Sequence, residues 1–291
     1  MASRPAISRG TIETNIARWP MRIGASDDAD APLTARTLLG SFSATHQIGL
    51  LDLKVLAFAI ERWRDAGGQT ASDSANFTLY QLGQAIYGRE PDGEERRLLR
   101  EAIDRLYRIE ITAYGEDART KDRARRRIAR DGRLFAEKET VWDEQPDDAP
   151  NLREIAGRRA SSFRVWLGPW LVEQIRAGNV TYLDFATMRD LSGLALRLWV
   201  FLQAEPFVID DRRRVEFLAA TIELGPELDA TLGLNFARPV DARKALRRAA
   251  ERVAAVDGRY RSIGVTKDGG SWILEAERTT AAPRQEVLTP A

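Results

Sequence analysis

The sequence predicts an α+β chain made of two similar units in tandem, and three observations carry that reading. Two long amphipathic helices, about Glu94–Arg108 and Val240–Val256, superpose when one is shifted by 147 residues. Each follows shorter helical segments and a turn, and each precedes strand-like segments. The length of 291 residues suffices for two domains with separate cores. Three helices, a strand, a basic loop and a second strand follow the order of a winged helix, so two tandem winged-helix domains are expected. The expected boundaries are a flexible arm at 1–32, a first domain at 33–145, a linker at 146–160, a second domain at 161–279 and a disordered tail at 280–291.

Residues 1–32 are polar with scattered Pro, Gly and Asp, hence the arm. Leu50, Leu53, Val55, Leu56, Ile60 and Trp63 form a wide apolar stripe, predicting a helix from Leu50 to Arg64. A Gly/Ser/Asp-rich loop at 66–76 leads to a short helix, Thr78–Tyr87, which Gly88 stops. A turn at 89–93 precedes the first long helix. Ile109, Ile111 and Ala113 alternate as a strand, and Leu134–Trp142 is the second strand, beyond the basic stretch Arg119–Arg133. The segment from Glu137 to Pro150 is acidic and carries Pro146 and Pro150, which reads as the close of the domain and the start of the linker.

In the second half, Phe163–Leu167 reads as a strand, Pro169–Arg176 as a short helix and Tyr182–Leu191 as another short element. Gly193–Ala204 is apolar almost throughout, as in a buried helix. One or two short helices are expected at 215–234 around Gly225-Pro226. After the second long helix, Tyr260–Thr266, the turn Lys267–Gly270 and Ser271–Glu277 predict a hairpin.

The repeat extends to both faces of the long helices. Leu98, Leu99, Ala102, Ile103 and Leu106 fall on Ala245, Leu246, Ala249, Ala250 and Val253. Arg96 and Arg97 fall on Arg243 and Lys244, Arg100 on Arg247, and Arg105 on Arg252. A charged face on one helix is ordinarily a solvated face. Two copies in matching context point instead to double-stranded DNA, read by the outward residues of each third helix. The candidate contacts are Arg97, Arg100, Arg105 and Arg108 in the first copy, and Arg243, Lys244, Arg247, Arg248 and Arg252 in the second. The second copy is the more basic, because Arg248 stands where the first has Glu101. Arg125, Arg126 and Arg127, in the densest positive stretch, are the expected phosphate contacts of the first wing.

Composition removes other chemistries. The net charge of +1 does not itself announce a polyanion partner, so the argument rests on distribution. There is no cysteine and a single histidine, His46, which excludes thiolate sites, histidine zinc sites and a His-based triad. No glycine-lysine pair occurs, so the phosphate-binding P-loop is missing. No catalytic role, cofactor or metal is expected. Trp166, Trp170, Trp199 and Phe201 read as packing residues. No secretory signal or membrane-spanning run is visible, so a cytoplasmic protein with no membrane partner is expected.

The stretch Trp170–Ala204 resembles the iteron-binding plasmid replication initiators of the RepA, RepE and TrfA type. The likeness is carried by Leu183-Asp184, by Met188–Leu191 and by Leu196-Arg197-Leu198-Trp199. With the tandem arrangement it covers roughly residues 35–278. The resemblance implies two winged-helix domains that bind direct repeats at a plasmid origin, melting of a nearby AT-rich region, and recruitment of a host initiator and helicase. It also implies dimers that repress their own promoter, while monomers bind the repeats. The first long helix departs from a strongly basic pattern through Glu94, Glu95, Glu101 and Asp104. A winged-helix transcriptional regulator and, from another class, a non-catalytic interaction adaptor are the competing readings.

Overall fold

The computed structural model describes residues 8–19, 21, 33–37, 40–116, 127–141, 162–204, 209–210, 215–216, 219–234 and 236–278. The chain opens with β1 (Arg9–Glu13), α1 (Thr14–Ala17), β2 (Leu33–Thr37) and β3 (Gly40–Ala44). Next come α2 (Leu50–Asp65), β4 (Ser74–Thr78), α3 (Leu79–Tyr87) and α4 (Gly93–Arg108). Four strands follow: β5 (Glu110–Glu116), β6 (Arg127–Arg133), β7 (Phe135–Val141) and β8 (Ser162–Leu167). The second half holds α5 (Pro169–Arg176), β9 (Val180–Asp184), α6 (Phe185–Asp190), α7 (Gly193–Ala204), β10 (Ile209–Asp210) and β11 (Val215–Glu216). It ends with β12 (Ala219–Glu223), α8 (Pro226–Thr231), α9 (Pro239–Val256), β13 (Tyr260–Asp268) and β14 (Ser271–Arg278).

Local chemistry sets the helix ends. The Thr78 hydroxyl accepts from the Gln81 amide while the Gln81 side chain accepts from the Thr78 amide, and Gly88 closes α3 at φ 74°. Asp92 and Glu95 form the same reciprocal cap at the start of α4. α9 opens with Pro239, whose missing N–H costs nothing at a first helical position.

The two halves share one plan. In the first, helix α2, strand β4, helix α3 and long helix α4 end in the hairpin β7–β8, with sheet order β4-β8-β7. In the second, α7, β12, α8 and α9 end in β13–β14, with sheet order β12-β14-β13. Leu99, Ala102, Ile103 and Leu106 of α4 are buried, as are their counterparts Leu246, Ala249, Ala250 and Val253 of α9. One side-chain contact recurs too. Arg105 holds Asp52 in the first turn of α2, and Arg252 donates to the Asp190 carbonyl just ahead of α7, at 3.0 Å.

Several sequence expectations are corrected. The arm expected at 1–32 is, over Arg9–Trp19, part of the core: Ile12, Ile16, Ala17 and Trp19 are buried. β1 pairs antiparallel with β9, and its Thr11 hydroxyl and Arg9 guanidinium both donate to the carboxylate of Glu61 on α2. Arg197, fully buried on α7, donates to the carbonyls of Ala17 and Trp19 at 2.6 Å each and to that of Thr231 at 3.1 Å. Burial lowers the Arg197 guanidinium to about 9, which still leaves it protonated at neutral pH.

The expected linker at 146–160 lies outside the described residues. The strands on either side of it, β7 and β8, pair with each other, and β8 pairs with β4, so that boundary falls inside one sheet. The strand expected at Leu134–Trp142 therefore pairs with β8 and not with the strand that follows α4. That strand, β5, pairs with β6 in a separate four-stranded sheet, order β2-β3-β5-β6. The basic stretch Arg119–Arg133 thus ends as strand β6 in this added sheet. Within 215–234, where one or two short helices were expected around Gly225-Pro226, α8 is one such helix, while β12 forms at 219–223 because it can add to the edge of β14. The hairpin β13–β14 forms where it is expected.

The halves touch through cations facing carbonyls. Lys54 on α2 donates to the Met188 carbonyl at 2.7 Å, and Arg189 on α6 donates to the Ala85 carbonyl of α3 at 2.8 Å. Burial first, then repulsion from Arg189, pushes the Lys54 amine down to about 8.

Two outcomes follow from this packing. Arg197→Ala takes a charged donor from the Ala17, Trp19 and Thr231 carbonyls and leaves a cavity, so it costs about 3–5 kcal/mol in guanidinium unfolding and exposes the Arg9–Trp19 segment to proteolysis. A variant with an unchanged denaturation midpoint would refute this role for Arg197. The second outcome concerns pH. The unfolded lysine holds its proton to about 10.5, whereas folded Lys54 releases it near 8. Stability contributed by this site therefore rises with pH between those values. Lys54→Met removes that rise, as urea midpoints at several pH values across the window would show.

Candidate nucleic-acid interface

An exposed helix face can bind a polyanion only where its cations are not already matched by carboxylates. On α4 they are matched. Arg97 is ion-paired to both Glu94 and Glu101, Arg96 to Glu90, and Lys138 of β7 to Asp104. Those pairs raise the already high proton affinity of Arg97, with the Glu94 hydrogen bond the largest cause. Arg100 is half-buried, and desolvation followed by repulsion from Arg96 lowers its proton affinity. Arg108 is exposed at the end of the helix.

Arg105 departs from the sequence expectation. Its Nε and Nη2 donate to Asp52 Oδ1 at 3.0 and 2.7 Å, and the Asp52 side chain is wholly buried. Asp52 Oδ2 also accepts from the Gly49 amide at 2.9 Å, capping α2. Removing Arg105 would strand that buried carboxylate, so this arginine fastens α4 to α2.

On α9 the arrangement differs. Arg243 is again a fastening residue: 5% exposed, it is ion-paired to Asp229 of α8 and donates to the Leu224 carbonyl at 3.4 Å. It does not reach the outer face. Lys244, Arg247 and Arg248 do, and among the described residues no carboxylate pairs with any of them. Arg247 leans on the hairpin, donating to the Val265 carbonyl at 3.1 Å with its guanidinium 5.2 Å from the Trp272 ring centroid. That contact orients the arginine without neutralising it. Arg252 is exposed but donates to the Asp190 carbonyl.

A helix advances about 100° per residue, so Val240, Lys244, Arg247 and Glu251 form one stripe opposite the buried one. Val240 is 56% exposed, and Phe236, just before the helix, is 46% exposed. Sequence reasoning passed over both. The available signal is an apolar residue out of phase with the buried stripe.

The wing contacts stand differently. Arg125 and Arg126 lie outside the described residues. Arg127 begins β6, opposite Glu116 in register. The aromatic residues expected to pack do so: Trp199 is wholly buried, with Trp170 and Phe201 at most 9% exposed. Trp166 is half-buried and donates to the Ser72 carbonyl. Among the described residues no group of three or more His, Asp or Glu side chains is placed to hold a metal ion. No described helix is long and apolar enough to cross a membrane.

No protein-family model matches the chain, and no curated protein matches it. Solved structures that share its fold include two of RctB. One is a crystal structure of selenomethionine derivatives of domain 2 and domain 3 of RctB, with a TM-score of 0.61 at 13% identity. The likeness covers 93% of this chain and 99% of that one. The other is a crystal structure of RctB domains 2–3, with a TM-score of 0.56 at 10% identity over 91% of this chain and 96% of that one. The chain thus has the mixed helix-and-sheet fold of a two-domain piece of RctB, matched nearly end to end.

Proposed function

We propose that the chain is a non-catalytic, sequence-specific double-stranded DNA-binding protein. In this reading its two halves are tandem winged-helix domains, with α4 and α9 as recognition helices. Its role is to bind direct repeats at a plasmid origin and initiate replication in the cytoplasm. The observation that carries the reading is the outer face of α9, where Lys244, Arg247 and Arg248 stand exposed and, among the described residues, unmatched by carboxylates, on the third helix of a helix–strand–helix–helix–hairpin unit. The recurrence of that plan and the sequence resemblance to plasmid initiators support it. The fold shared with RctB domains 2 and 3 supports a protein of the replication-initiator kind.

The two helices divide the work unequally. α9 supplies base and phosphate contacts through Lys244, Arg247 and Arg248, with Arg252 at its flank. α4, with Arg97 held by two glutamates, adds at most a minor backbone contact through exposed Arg108 at its end, and suits self-association as a dimer. Arg125, Arg126 and Arg127 add phosphate contacts. Promoter repression by the dimer and recruitment of a host initiator and helicase complete the role that the resemblance implies.

The test is a salt titration on a duplex selected from random sequence, followed by fluorescence anisotropy. Each phosphate contact contributes about 0.9 to the log–log slope, so replacing Lys244, Arg247 and Arg248 together by alanine shallows it by about two to three. Arg97→Ala changes it by less than about one, because the glutamates already neutralise that charge. The triple variant keeps its melting temperature, since none of the three holds a buried carboxylate. An unchanged slope in the triple variant removes α9 from the interface, and no binding even at low salt removes the function.

A further inference from the structure

Two large apolar side chains stand at the head of the α9 cationic stripe. Phe236 and Val240 are 46% and 56% exposed, in a unit whose other apolar residues are largely enclosed. Their positions in the first half, 147 residues earlier, hold Arg89 and Gly93, so the common plan does not require an apolar residue at either place. Val240 lies one turn before Lys244 and two turns before Arg247, on the same side of the helix. Whatever covers the cations therefore meets Val240, and Phe236 stands exposed four residues before it at the same end of the helix.

The charge pattern selects the occupant. Three cations that no carboxylate among the described residues matches favour a polyanion. An apolar pair beside them favours a polyanion that itself presents apolar groups at the bottom of a charged groove. Duplex DNA does so at one kind of position: the 5-methyl group of thymine projects into the major groove, where aliphatic and aromatic side chains contact it. The N-terminal residues of a recognition helix are those that reach base edges. We propose that Phe236 and Val240 read thymine methyl groups in the major groove, making the start of α9 a determinant of sequence preference. The inference rests on the DNA-binding reading above and names which residues give it base identity without hydrogen bonds.

The experiment compares the selected duplex with the same duplex carrying deoxyuridine at every thymidine, which removes only the methyl groups. The parent protein loses about fourfold in affinity for each methyl contacted, the equivalent of one buried methyl group. The variant F236A/V240A binds the thymine duplex more weakly by a similar factor and no longer separates it from the uracil duplex. Its salt slope matches the parent's, because no cation is lost. Val240→Thr, which keeps one methyl, retains part of the discrimination and guards against a folding artefact. If the double variant discriminates thymine from uracil as the parent does, the methyls are sensed elsewhere and the proposal is overturned. If the variant instead changes the sedimentation mass of the free protein, the apolar pair serves self-association and the proposal is equally overturned. A parent that binds no duplex overturns the DNA-binding reading itself, a result distinct from either of these.

Discussion

A guanidinium taken out of water must find acceptors for its N–H groups, and Arg197 finds them on three backbone carbonyls at once. Two belong to the N-terminal segment, at Ala17 and Trp19, and the third to Thr231 at the end of α8. A neutral side chain of similar volume would fill the space but leave those carbonyls unsatisfied. The charge is tolerated because every direction it faces offers an oxygen dipole. Around it the rest of the joint is assembled. Trp19 and Ile16 pack beside α7, β1 lies along β9, and Glu61 on α2 gathers Arg9, Thr11 and Arg64. The N-terminal segment thus touches α2 of the first half and α7 of the second, and fixes how the two sit together.

The repeated plan uses its arginines for two different purposes, and position on the helix decides which. Arginines on the flanks of the buried stripe fasten helices to one another: Arg105 to Asp52, Arg243 to Asp229, Arg252 to the Asp190 carbonyl. Arginines opposite the stripe are available to a partner. In α4 the outward positions are interleaved with glutamates, and the face neutralises itself. In α9 they are not. Two units built alike therefore present different electrostatic surfaces, which is how a duplicated fold can divide affinity from assembly.

Much of this was legible in the sequence, and the failures have physical causes. The long helices, their buried stripes and the final hairpin depend on neighbours a few residues away, so local pattern reveals them. β1 was not legible: it buries Thr11 and Glu13, and its partner strand lies some 170 residues downstream. Polar residues there looked like an arm because nothing local shows that Glu61 will accept from Thr11. Arg105 and Arg243 looked like surface cations for the same reason. Angular position alone did not disclose the buried carboxylate of Asp52, 53 residues away, or the half-buried one of Asp229, 14 residues away. The acidic, proline-bearing stretch before β8 read as a linker because the pairing of β8 with β4 spans 88 residues and leaves no local trace.

The pairing of β1 with β9 also sets an order of events during synthesis. Strand β1 leaves the ribosome well before Val180–Asp184 exists, and at about 5–20 residues per second that interval is on the order of ten seconds or more. Through that time Ile12, Ile16 and Trp19 have no strand or helix from the second half to cover them. The first half can close around α2, yet its seat for β1 stays half-built until β9 and α7 emerge. Maturation is therefore not strictly vectorial: an early strand must wait for a partner made some 170 residues later, and α7 to β14 then close the second half behind it.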